Sequence, residues 1–334
     1  NFRYKVEDTG AGFRCYEGVS QADFSEADNR LGSVYSLSGL LGMLYEAQKK
    51  IIPYLIDEIK EERPNYIIHD SMSIWGKKIA KECCIPAICS ITTFGLNKEV
   101  FKLDPDSFVR NILGISDVSG FEKFRSRAHY IDKIVNTFSR TYRAFYGLEE
   151  FDLFDAMSNP EELNIVYTSR HFQVCGDSFD SSYKFIGPSF SQRNEKLDFP
   201  FHKLDKKPVI YISMGTRVHS IDFVKKCIEA LKGFEGTVVV SLGNRLDIGD
   251  IKGIPQNFIV KEFVPQIEVL KRANLFITHG GFNSTSEAFM NGVPMLVFPM
   301  MGDQFLVATR VEELGAGVYI RDKGITPAGI LKTV

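Results

Sequence analysis

Short apolar runs recur along the chain, and between them apolar positions return every third or fourth residue, the alternation of buried strands with amphipathic helices. Residues 66–69, 86–91, 163–167, 183–186, 209–213, 237–242, 258–260, 275–278 and 294–298 read as strands, and 13–16 as a further short candidate. Helical spacing covers 33–62, where Leu40, Leu44, Ile51, Tyr54, Leu55 and Ile59 share a face, and Pro53 is expected to kink or divide that helix. Residues 74–84, 221–231 and 267–272 and a segment ending near 291 are the other clear helices. Strand and helix alternating in this way predict an α/β fold with doubly wound parallel sheets. The polar stretch 191–207 interrupts the rhythm and is expected to be a solvated linker between two similar halves with a cleft between them. Residues 94–154 also depart from it, being irregular and aromatic; most of these rings are expected in the core, and a minority could line an apolar pocket.

Composition changes this picture little. The 334 residues suffice for two domains, and 44% hydrophobic with 25% charged residues is ordinary for a soluble globular chain. A net charge of −2 without a long basic run argues against a nucleic-acid partner. The 6 cysteines form no CxxC pair and are read as reduced thiols, with a cytoplasmic location expected. No apolar run is long enough for a membrane helix, which takes about 18–20 residues. The start at Asn1 and the end soon after Pro327 are read as the ends of a fragment.

The candidate chemistry is densest over residues 275–304. A buried strand runs into His279, Gly280 and Gly281, where glycines permit a sharp turn and close approach to a ligand. Asn283, Ser284 and Thr285 are expected to cap the next helix, whose N-terminus beside an imidazole suits a diphosphate. Glu287, one turn further on, can face the same cleft and accept hydrogen bonds from a ribose diol. Asp303 and Gln304 follow the next strand at the same carboxyl edge and can take the hydroxyls of a hexose. Upstream, Ser213, Gly215 and Thr216 end another strand, a weak signal alone, and Phe263, Val264, Pro265 and Gln266 precede a short helix.

In this order the segments SMGT, FVPQIEVL, THGGFNSTSEA, GVP, FP and DQ resemble the donor-binding signature of the UDP-sugar glycosyltransferases of the GT-B fold, most like the bacterial macrolide glycosyltransferase branch. The resemblance covers about the last third of the chain. It implies two Rossmann-like domains facing across a cleft: residues 1–190 for the acceptor, without their first strand and helix, a linker at 191–207, and 208–334 for the UDP-sugar, truncated at its end. It implies that Phe263, where many relatives have Trp, stacks on uracil, and that Val264 offers backbone groups to the base. His279 with Gly281, Asn283 and Ser284 would hold the diphosphate, with Thr216 on its other side; Glu287 would bind the ribose. Ser213, Gly215 and Gln266 fall in the same donor signature. Asp303 and Gln304 would bind the sugar, Gln304 being more like glucose users than galactose users. Phe282 replaces a Trp of the plant signature, and the interval from Phe263 to His279 is two residues shorter.

The resemblance further implies inverting transfer of a hexose to a small hydrophobic acceptor such as a macrolide or flavonoid. The general base would be a histidine oriented by Asp70 and carried on a segment that this sequence does not contain. His69 adjoins Asp70, but neighbouring strand residues point to opposite faces, so a hydrogen-bonded structural histidine is expected there. No metal and no cofactor is expected, the UDP-sugar being a co-substrate; Asp104-Pro105-Asp106 has the D-x-D form but reads better as a turn or helix start. The partners expected are the donor and the acceptor, with the chain a monomer or weak dimer. Alternatives left open are a GT-B enzyme acting on a lipid or cell-wall precursor, a UDP-sugar epimerase, and a nucleotide-sugar binding module without turnover.

Overall fold

The computed structural model describes residues 3–16, 37–103, 152–190, 198–205, 208–215, 220–243, 246–322 and 324–334, with short helical pieces between 132 and 144. It divides into two compact units, Asn1–Ile186 and Gly187–Val334.

The first unit is built on a parallel sheet of four strands in the order β1-β2-β3-β4: Ile67–Asp70, Ala87–Ile91, Leu163–Val166 and Tyr183–Phe185. Register pairs Asp70 with Ser90, so both stand at the carboxyl edge. Helix α1, Leu37–Glu62, presents Ala47, Ile51, Ile52 and Ile56, which pack against Trp75 and Ile79 of α2, Ile74–Cys83. Pro53 does not divide α1: the helix continues through it, with the buried Ile51, Ile52 and Ile56 on either side. Cys84 closes α2 in the left-handed conformation, its N–H donating to the carbonyls of Ala80 and Lys81. The strand expected at 13–16 is absent: Arg14 pairs with Glu58 and Glu62 on α1, and Tyr16 meets Trp75 edge-on, so these side chains hold the segment against helices. Asp104 and Asp106 lie outside the described residues.

The second unit carries a parallel sheet of six strands: β5 Val209–Ser213, β6 Thr237–Ser241, β7 Phe258–Lys261, β8 Leu275–Thr278, β9 Met295–Val297 and β10 Gly317–Tyr319. Their order, β10-β9-β8-β5-β6-β7, runs β5 to β7 outward on one side and β8 to β10 outward on the other. The connection therefore reverses between β5 and β8, the switch point at which doubly wound sheets open a crevice. Every residue of β5 is buried, as its central place demands. Ile210, Ile212, Val238, Val240 and Ile277 share one core with Phe223, Cys227 and Leu231 of α3, Ile221–Leu231. Full burial of each such side chain contributes about 1.5–3 kcal/mol. Ser220 caps α3 by accepting from the Phe223 N–H at 3.2 Å. A last helix, α4 Pro327–Thr333, capped by Thr326, packs on α3 through Ile330.

The stretch 198–205 is not solvated linker as expected. Phe199 and Leu204 are buried, the Thr237 hydroxyl donates to the Lys203 carbonyl at 3.0 Å, and the Arg272 guanidinium lies 5.0 Å over the Phe201 ring. Apolar residues among the charges anchor this segment to the second unit. All six cysteines are free, and burial pushes the Cys89 and Cys227 thiols up to about 12. Among the described residues no helix is long and apolar enough to cross a membrane.

Candidate functional site

The second unit gathers its polar groups at the carboxyl edge. Register sets Ser213, Thr278 and Val297 side by side on β5, β8 and β9, so the segments after them emerge together at the switch point. His279 is the centre of this edge. Its ring lies between two glycines: a Cβ at Gly215 would stand 2.6 Å from Cε1, and one at Gly281 would stand 2.6 Å from Nε2. Gly215 is required twice over, since its φ of +76° also lies in the left-handed region. Burial drives the His279 pKa down to about 4, against a smaller opposing effect from a hydrogen bond with the Ser213 backbone. The imidazole is therefore neutral at physiological pH, and its buried Nδ1 has no hydrogen-bond partner among the described residues.

Beyond His279, Gly280 adopts a φ of +82° and turns the chain so that helix α5, Phe282–Met290, begins at once. Its cap is Gly281, without a side-chain bond, whereas Asn283 to Thr285 were expected to supply it. The early turn and the burial of Phe282 place Asn283 and Ser284 inside the first turn instead. The first N–H groups of the helix thus end in a site without a side-chain cap, where backbone donors and the helix dipole favour an anion. Asn283 is exposed there.

A second cluster joins α5 to the short helix α6, Gln266–Leu270. The Gln266 Nε2 donates to Glu287 Oε2 at 2.6 Å and to Ser284 Oγ at 3.1 Å, and the Tyr211 hydroxyl donates to Gln266 Oε1 at 2.8 Å. Glu287 is buried, so its carboxylate is held in place by this amide. Before α6, Phe263 is 45% exposed while Val264 is buried, leaving the Phe263 ring available to stack. Tyr211 is absent from the residues singled out in sequence; the available signal was a tyrosine inside a fully buried strand, whose hydroxyl requires a partner.

At the end of β9, Asp303 caps α7, Gln304–Glu313, in a helical conformation, with no side-chain cap bond. Gln304 is buried, and its Oε1 accepts from the Met300 and Met301 N–H groups at 2.9 and 3.1 Å. Its carbonyl end thus shapes the loop, and its amide nitrogen is the end that can address a ligand. Thr216 lies outside the described residues.

In the first unit, Asp70 ends β1 with both oxygens engaged: Oδ1 accepts from the Met72 N–H at 2.8 Å and Oδ2 from the Thr92 hydroxyl at 3.1 Å. Thr92, just past the neighbouring β2, is a supporting residue that the sequence reading missed. His69 turns the other way and is buried, with Nε2 3.1 Å from Glu161 Oε1 and Nδ1 3.1 Å from the Asp70 carbonyl. It is a structural histidine, partnered by a carboxylate as well as by backbone.

Comparison with known proteins places these sites in context. Residues 225–334 match the model of the C-terminal domain of erythromycin biosynthesis protein CIII-like proteins. The chain is 36% identical over 296 residues to the uncharacterized UDP-glucosyltransferase YojK of Bacillus subtilis, covering 88% of this chain and 70% of YojK. It is 30% identical over 332 residues to the NDP-glycosyltransferase YjiC of Bacillus licheniformis, covering 98% of this chain and 78% of YjiC. Among solved structures, the glycotransferase of kitacinnamycin superposes with a TM-score of 0.68 at 24% identity, over 99% of this chain and 79% of that one.

Proposed function

We propose that this chain, which belongs to the UDP-glycosyltransferases of the GT-B fold and to their macrolide glycosyltransferase branch, moves a hexose, glucose in the first instance, from UDP to a hydroxyl of a small hydrophobic acceptor, with inversion at the anomeric carbon. The observation that carries the reading is a buried His279 held between two glycines beside a helix N-terminus without a side-chain cap.

In this reading Phe263 stacks on uracil, Val264 meets the base edge through its backbone, and Glu287 takes the ribose diol. The diphosphate lies against His279, Gly281, Asn283 and Ser284, with Ser213, Gly215 and Thr216 approaching from β5. Asp303 and the Gln304 amide take the hexose. As the acceptor oxygen attacks from the face opposite UDP, the bond to the diphosphate oxygen breaks and negative charge grows on the leaving group. Fixed N–H donors of α5 and the His279 imidazole are aimed where that charge develops and need no reorganisation. The acceptor proton passes to a histidine base, and Asp70, its carboxylate braced by Met72 and Thr92, orients that base and stabilises the imidazolium.

The test is turnover by the full-length protein on a panel of phenolic and macrolide aglycones with UDP-glucose, UDP-galactose and UDP-N-acetylglucosamine. Expected are UDP release and a glucoside of inverted anomeric configuration. UDP binding with neither transfer nor hydrolysis would leave a binding module and overturn the enzyme reading; transfer only to a lipid precursor would replace the acceptor class.

A further inference from the structure

We infer that Tyr211 is a positioning residue for nucleotide recognition, fixing the Gln266 amide so that Glu287 is presented to the ribose. The inference rests on the reading of Glu287 given above and extends it to a residue that itself stays out of contact with the ligand.

The argument begins with the orientation of Gln266. A carboxylate only accepts, so the Gln266 group 2.6 Å from Glu287 Oε2 has to be the NH2 end. That same nitrogen reaches Ser284 Oγ at 3.1 Å, which leaves Oε1 facing Tyr211. A phenol opposite an amide oxygen at 2.8 Å has to donate. The chain Tyr211 to Gln266 to Glu287 thus has one hydrogen-bonding sense throughout.

Tyr211 is suited to anchor it. The side chain is 1% exposed, stands on the central strand β5, and stacks on Phe276 of β8 with ring centroids 4.8 Å apart and planes 6° from parallel. Its hydroxyl is therefore fixed by the packed sheet. Gln266, at the first turn of a short helix, is only partly buried and takes its orientation from its polar partners. If the amide turned over, its oxygen would face the Glu287 carboxylate, and like dipoles would push that carboxylate from its place.

The perturbation is Tyr211→Phe, which keeps the ring and its stacking and removes only the donor. Binding of UDP and of 2′-deoxy-UDP to the full chain is measured by titration calorimetry for the wild type and the variant, with thermal unfolding of each alongside. We expect the wild type to prefer UDP, and the variant to lose about fivefold in UDP affinity, a single hydrogen bond's worth, while losing little for 2′-deoxy-UDP, so that the preference shrinks. A second test is Gln266→Glu, which places two carboxylates together and should abolish the preference whatever stands at 211. A variant that folds and weakens both nucleotides equally, or keeps the full preference, overturns the positioning role and leaves Glu287 in place. Absence of any preference in the wild type overturns the reading of Glu287 as the ribose ligand, and the inference falls with it.

Discussion

Replacing Gly281 by alanine isolates the part that the His279 ring plays. The backbone at Gly281 has a φ of −61° and ψ of 132°, open to any residue, so the substitution adds no backbone strain. The added methyl would stand 2.6 Å from His279 Nε2 and 2.7 Å from Cε1, whereas such atoms rest at about 3.5 Å or more. The ring has to withdraw by about 1 Å, towards Gly215, where room is also limited. Overpacking of this kind costs about 1–3 kcal/mol of stability, and alanine is a poorer helix cap than glycine by a few tenths or more. If the diphosphate lies against His279 as proposed, a ring displaced by that amount no longer meets its oxygen at hydrogen-bond distance. A hydrogen bond to a charged group is worth about 1.5–3 kcal/mol, so UDP should bind about 10- to 150-fold more weakly.

The assay is a double-mutant cycle read by calorimetric titration with UDP: wild type, Gly281→Ala, His279→Ala and both together. If the methyl acts by displacing the ring, the double variant binds no worse than His279→Ala, and the methyl occupies space that the ring has vacated. Additive losses would mean that the methyl meets the ligand or the helix cap directly, refuting the ring as its target; unchanged affinity in Gly281→Ala would remove His279 from the diphosphate site. Gly215→Ala is the companion variant. It brings the same collision, 2.6 Å from Cε1, together with a strained φ of +76°, so it should lose about 1 kcal/mol more stability than Gly281→Ala.

Two further outcomes follow from the same geometry. With a folded pKa of about 4 against an ordinary 6.5, His279 takes up its proton more readily in the unfolded chain, so stability rises with pH between about 4 and 6.5 and is flat above. This one group contributes a slope worth up to about 3 kcal/mol across that window; denaturant titrations from pH 4 to 8 should show wild type losing more stability on acidification than His279→Gln, and equal slopes would contradict the buried neutral ring. Asp70→Asn should lower turnover about a hundredfold or more while UDP affinity, measured on the same preparation, stays nearly constant; a matching loss of affinity would make Asp70 a residue of the fold.

The strands and the long helices were legible because a parallel sheet buried on both faces writes itself as apolar runs: β5 and β8 have the bounds expected, and so does α3 behind its Ser220 cap. Residues 13–16 failed because so short a run carries no period, and it packs through Arg14 and Tyr16 rather than pairing. The cap of α5 was misplaced because polar residues suited to capping follow two glycines, and the positive φ at Gly280 decided where the turn fell. Individual site residues were visible in the signature, but their partners were not. Tyr211 is 55 residues from Gln266 and Thr92 is 22 from Asp70, and such contacts depend on the sheet order and register that bring strand ends together. The squeeze on His279 was equally hidden, since the two glycines looked like turn residues until their missing Cβ positions were seen to be occupied by the ring.

The two glutamines of the proposed donor site share a device that bears on what they would recognise. Each has its amide oxygen tied to the protein, Gln266 by the Tyr211 hydroxyl and Gln304 by the N–H groups of Met300 and Met301. An amide can bind a hydroxyl either way, but with the oxygen held it can only donate. Gln266 spends its donors on Glu287 and Ser284 and so serves the carboxylate rather than the ligand directly. In the proposed site Gln304 would offer a donor and Asp303 an acceptor, so the pair would meet a sugar hydroxyl in its acceptor role and a neighbouring one in its donor role. A hexose whose adjacent hydroxyls both lie within the ring plane presents that arrangement to a flat edge more readily than one with an axial hydroxyl. If glucose is the donor sugar as proposed, its preference over the axial epimer would rest on the fixed sense of one amide, and Gln304→Glu, which turns donor into acceptor, should weaken UDP-glucose far more than UDP.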